Sequence, residues 1–197
     1  MRLTNTIRDY GFIAKSLHWG TAALFLFSYL SVYFRHWFTE SGTSASSKAL
    51  QLHLSFGVTI GVVVVLRIIW RIANKTPNSE PGTQLQKLAA HIGHLALYLA
   101  IVIMVATGYM GTGTDTKFFN IFNIPKFADT VLFQSIVVDL LKTDFKAFEK
   151  VVDYIHKDIM GSLLMWMLII GHVLAALYHH FILKDRTIIK MTYDKSA

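Results

Sequence analysis

Four long apolar runs, each free of Asp, Glu, Lys and Arg, alternate with shorter polar segments along this chain. Lys15 to Arg35 encloses 19 such residues, Lys48 to Arg67 encloses 18, Lys87 to Asp115 encloses 27 and Asp158 to Lys184 encloses 25. About 20 apolar residues in helical form cross a hydrocarbon layer ~30 Å thick. The runs predict an all-α fold: a four-helix transmembrane bundle with helices at about 12–34, 50–72, 85–109 and 159–183, in a single domain over 1–197. A greasy soluble bundle fits poorly, because only 16% of residues are charged, where soluble domains carry about a quarter.

The connections carry turn chemistry. A Ser/Gly/Thr stretch joins the first two helices, Pro77, Pro81 and Gly82 interrupt the second connection, and a Gly-Thr-Gly-Thr run from Gly111 closes the third helix. Residues 115–157 form the one long loop. It is rich in Phe and interleaved charges, and its apolar stretch Val131 to Leu141 is too short to cross. It reads as one or two amphipathic helices lying over one mouth of the bundle. Trp19, Trp37 and Trp70 fall near the predicted interfaces, where belt aromatics sit.

Charge supplies the orientation. The two termini and the middle loop hold 11 cations against four acids, a balance of +7, whereas the other side is neutral. Lys and Arg accumulate on the cytoplasmic side, which predicts a multi-pass protein of a bacterial inner membrane with both termini cytoplasmic. The basic character thus belongs to topology, and nucleic acid is not an expected partner. The first run is longer than a signal peptide's apolar core and holds His18 and Trp19, so it reads as a permanent helix. The chain has no cysteine, which excludes disulfides, iron–sulfur clusters and covalent haem attachment.

The chemistry lies in the histidines. His18, His53, His156 and His172 stand near the ends of the apolar runs, where ionisable groups are costly to insert and mark function. At 1.5 Å per residue, His18 and His172 both fall roughly 10 Å inside the cytoplasmic edge, and His53 and His156 near the outer edge. Helices 1 and 4 thus supply one pair and helices 2 and 4 the other. Neutral imidazole is the usual ligand of b-type haem iron, so two levels suit two haems. The alternative is a set of buried histidines hydrogen-bonded to backbone or to one another, which matched pairs at two depths make less economical.

Other features are less specific. Gly57 and Gly61 form a GxxxG that admits a flat macrocycle or a packed helix. Arg67 and Arg71, one turn apart, are candidates for haem propionates or for lipid phosphates. His91 and His94 share a helix face as candidates for metal or quinone. His179 and His180 lie at the inner interface and His36 just outside the membrane. Lys142, Lys146 and Lys150 recur at helical spacing toward Lys157, a cationic stripe that would steer a small anion, although interleaved acids equally describe a solvated face.

At these residues the chain resembles the bacterial cytochrome b561 family of di-haem, quinone-linked membrane proteins, which includes superoxide oxidase. The likeness rests on Ser16-x-His18-Trp19, His53-x-Ser55-x-Gly57, the run Ala90 to Leu95, Gly171-His172, Ala175-Ala176-Leu177-x-His179-His180 and Lys184-Asp185-x-Thr187. It implies two haem b groups, with His18 and His172 as axial ligands of the inner iron and His53 and His156 of the outer one. The family pattern spaces the two helix-4 ligands about 14 residues apart. Here they stand 16 apart, and Asp158 occupies the ungapped position. Sixteen residues turn a regular helix by about 160°, whereas 14 return to within about 40°, so His156 is expected on a distorted first turn or just before the helix.

The resemblance further implies an oxidoreductase that takes electrons from periplasmic superoxide through the haems to ubiquinone in the membrane, with His179 a candidate quinone contact. A second reading is a haem-carrying anchor that accepts electrons from a partner dehydrogenase or hydrogenase. A divalent-metal transporter, the third, lacks Asp and Glu in the spans. Membrane lipid, quinone, and superoxide or a redox partner protein are the expected partners.

Overall fold

The computed structural model describes residues 2–192. Asp194 and Lys195, two of the charges used for orientation, lie outside them. Four helices are long and apolar enough to cross a membrane: α1 (Phe12–Phe38), α2 (Ser44–Ala73), α3 (Gln84–Met110) and α5 (Phe145–Leu183). Between α3 and α5 come an antiparallel hairpin of β1 (Thr116–Phe118) and β2 (Phe122–Ile124) and a short helix, α4 (Val131–Leu140). The chain is a four-helix transmembrane bundle and a multi-pass membrane protein.

Side-chain oxygens set the helix starts. Thr43 accepts from the Ser46 amide and Asp144 from the Ala147 amide, while Thr83 and Gln86 form a reciprocal capping box. The seam of the bundle is small and apolar: Phe25, Ile60, Val64, Ala100, Ile101, Met160 and Met165. Large apolar side chains such as Leu30, Val65, Leu99 and Met167 remain exposed on the spans, as suits helices whose outer surface meets lipid.

Two expectations change. The fourth helix begins at Phe145 rather than near 159, so what reads as a second amphipathic loop helix is the outward extension of α5. Charges at Glu149, Lys150, Asp153, Lys157 and Asp158 broke the apolar run without breaking the helix, because helices continue past the membrane edge wherever their polar face is wetted. The long loop also contains the hairpin, whose turn residues Phe119 and Asn120 have positive φ. It docks on α2 through short bonds: the Lys117 amide donates to Gln51 Oε1 at 2.7 Å and the Phe119 amide to Ser55 Oγ at 3.0 Å. The loop therefore caps the bundle on the face opposite the termini, here termed the loop face.

The terminal face is tied together as well. The Asn78 amide donates to the Ile7 carbonyl, Lys15 Nζ to the Thr192 carbonyl at 2.6 Å and Trp19 Nε1 to the Met191 carbonyl at 2.8 Å. Lys190 pairs with Glu80 and donates to the Asn78 carbonyl, and Arg186 pairs with Asp9.

Candidate functional site

Helix α5 carries four histidines, and its winding decides where two of them, His156 and His172, point. Residues Tyr154–Leu164 are π-helical and Met165–Tyr178 are α-helical. An i→i+5 helix turns roughly 82° per residue, against 100° for the α-helix. Eight steps of each between His156 and His172 leave a residual of about 15°, where a regular helix would leave about 160°. The wide segment cancels the two-residue excess and sets both imidazoles on one face. His156 is thus well inside the helix, neither on its first turn nor before it as expected, and the distortion is an eleven-residue stretch. Asp158 is exposed, away from the seam.

At the loop-face level, His53 of α2 meets His156, with ring centroids 6.1 Å apart and planes at 75°. At the terminal-face level, His18 of α1 meets His172, again 6.1 Å apart, at 58°. Two imidazoles on one metal ion have ring centres roughly 6 Å apart, from ~2 Å per metal–nitrogen bond and about 1 Å from nitrogen to ring centre. Both pairs have that separation. Gly57, one turn beyond His53, has nothing within 4 Å of where a Cβ would stand, leaving room for a flat group, whereas a Cβ on Gly61 would meet Val105 at 2.9 Å and serves helix packing.

Supporting contacts differ between the levels. His53 Nδ1 lies 3.1 Å from the Ser28 carbonyl and 3.0 Å from its hydroxyl, and His156 Nδ1 lies 2.9 Å from the Met104 carbonyl. A carbonyl only accepts, so each Nδ1 carries the ring hydrogen and each Nε2 keeps its lone pair. This is the usual arrangement behind a metal-binding imidazole. His18 Nδ1 instead faces the Arg67 guanidinium at 3.3 Å. Arg67 and Arg71 both lie against the Tyr98 ring, 5.3 and 5.8 Å from its centre. His94, exposed like His91 and His36, sits beside His172, 5.6 Å between centroids.

A family model described as prokaryotic cytochrome b561 matches residues 9–194, nearly the whole chain. The chain belongs to that family. No curated protein matches it. It is therefore a membrane di-haem cytochrome b561, an electron carrier of a kind that typically binds two haem b groups. Among the described residues, no group of three or more His, Cys, Asp or Glu stands ready for a metal ion.

At the terminal face, His179 Nδ1 lies 2.5 Å from Asp185 Oδ2, and the Thr187 amide donates to Asp185 Oδ1 at 2.9 Å. Burial pushes the Asp185 carboxyl up, but the bonds from His179 and Thr187 outweigh it and hold the group below the ordinary carboxylate range. The lysine stripe is only partly helical: Lys142 occupies a left-handed turn before α5, Lys146 and Lys150 are exposed, and Lys157 pairs with Asp153 at 2.5 Å.

Sequence reasoning missed the supports. A Cβ on Gly108 would stand 2.7 Å from His156 Cε1, and one on Gly161 would stand 2.9 Å from the His156 carbonyl oxygen. Glycines inside an apolar helix were the available signal. The role of Ser28 had none, since it is not near a histidine in sequence.

Proposed function

We propose that His18 with His172, and His53 with His156, are the axial ligands of the two haems, and that the protein carries electrons from superoxide at the loop face to ubiquinone within the membrane. The observation that carries the reading is the matched separation of two imidazole pairs at two levels of the bundle. Haem iron, once held there, would supply the one-electron chemistry. Two superoxide ions each give up an electron and leave as dioxygen, while the quinone takes two electrons and two protons.

The chain's own groups hold and admit. Ser28 and Met104 fix the loop-face imidazoles in the ligating tautomer. Arg67 and Arg71 are the proposed partners of haem propionates, whose carboxylates match the guanidinium fork. His179, held by Asp185 at the terminal face, is the proposed quinone contact and proton carrier. Lys146 and Lys150 would favour approach of a small anion. The terminal face is proposed to be cytoplasmic, in a bacterial inner membrane.

The test is an optical spectrum of the purified, oxidised protein exposed to a superoxide-generating system and ubiquinone. Two low-spin b-type signals reduced by superoxide, followed by quinol formation, are expected. Reduction only when a dehydrogenase or hydrogenase is added would favour the membrane-anchor reading, and absence of a Soret band would remove both.

A further inference from the structure

The π-helical segment of α5 does not hold itself. Five-residue closure has poorer geometry than four-residue closure and persists where packing requires it. Its pivot is Gly161, where a side chain would strike the His156 carbonyl oxygen and approach Met104 Cε at 3.5 Å. Glycine permits the wide turn but, being the least restricted residue, cannot enforce it.

What grips the turn comes from α1. The Tyr29 hydroxyl donates to the Gly161 carbonyl at 3.1 Å. Where five-residue closure returns to four-residue closure one carbonyl drops out of the helical ladder, and within lipid it needs another donor. The phenol is itself located. Its ring lies 4.8 Å from the Trp166 ring and 5.8 Å from the Tyr33 ring, and Trp166 Nε1 donates to the Tyr33 hydroxyl at 3.0 Å. Tyr29 and Tyr33 are one turn apart on α1, and Gly161 and Trp166 lie on successive turns of α5, so the clamp spans the end of the wide segment. On the opposite side, the Met104 carbonyl and the slot at Gly108 prescribe where the His156 ring must lie.

We infer that Tyr29 is a positioning residue for His156: its bond to the Gly161 carbonyl locks the wide turn that brings this imidazole opposite His53. The inference rests on the ligand assignment proposed above. Without the hydroxyl the segment is free to tighten toward regular winding, which swings His156 away from the seam while leaving His172, beyond the clamp, in place.

Tyr29→Phe in the full-length holoprotein, purified in detergent, tests this by electron paramagnetic resonance and by redox titration of the two oxidised low-spin haems. The g values and midpoint potential of one haem should shift, those of the other serving as an internal reference, and His156→Ala should abolish the same signal that shifts. If Tyr29→Phe does not accumulate, Trp166→Phe loosens the same clamp and should broaden the same signal. Wild-type spectra for both haems in whichever of these two variants is obtained would overturn the inference. A wild-type protein without two bis-imidazole haems, or one whose His156→Ala variant keeps both, would instead overturn the ligand assignment.

Discussion

Gly108 and His156 share one space: a Cβ on the glycine would stand 2.7 Å from Cε1 of the imidazole. The same edge of the ring is bound to α3 by the Met104 carbonyl, 2.9 Å from Nδ1, so it cannot retreat without losing that bond. Gly108→Ala should therefore cost about 1–3 kcal/mol, the range for overpacking a filled site. It should also weaken one haem's absorbance while the other persists, checked by haem-to-protein stoichiometry and thermal melting.

His156→Ala and Asp158→Ala separate the two candidates for the contested ligand. Asp158 is exposed and carboxylate suits low-spin haem poorly. One haem should be lost from the histidine variant and none from the aspartate variant, measured as pyridine haemochrome per chain.

Ser28→Ala removes the hydroxyl facing His53 Nδ1 but leaves the Ser28 carbonyl in place. The loss should be modest, about 0.5–1.5 kcal/mol for one hydrogen bond, with both haems retained. Thermal unfolding and haem content together check it, and loss of a haem would show that the hydroxyl, rather than the carbonyl, orients the ring.

The Asp185–His179 contact has a pH signature. Because the carboxyl's folded pKa lies below its ordinary value, its contribution to stability is full above that ordinary value, near 4, and declines as pH falls through the depressed one. The melting-temperature gap between wild type and Asp185→Asn should be widest near neutral pH and close in strong acid. A quinone-binding role for His179 predicts, in addition, a higher KM for ubiquinone in the variant.

The orientation proposed from charge is tested on its own. A periplasm-active reporter fused after Lys190 should be silent, while one inserted in the α4 segment should be active. The reverse pattern would place superoxide access at the wrong face.

The four spans were legible because transfer of a charge-free run of about 20 residues into lipid outweighs local detail. The two histidine levels were legible because depth along a helix is linear in residue number. Which helix face each histidine occupies was not. Phase depends on how the chain is wound, and the wide turn between His156 and His172 exists only because Gly161, Tyr29 and the α3 surface meet there. The hairpin on α2 escaped notice for a similar reason: Gln51 and Ser55 supply its backbone partners from more than 60 residues away. Composition and spacing thus determined the membrane, the number of spans and the candidate ligands. Only three-dimensional packing decided the helix phase, the supporting contacts and the cap, since each arises from groups distant in sequence that are brought together by the fold.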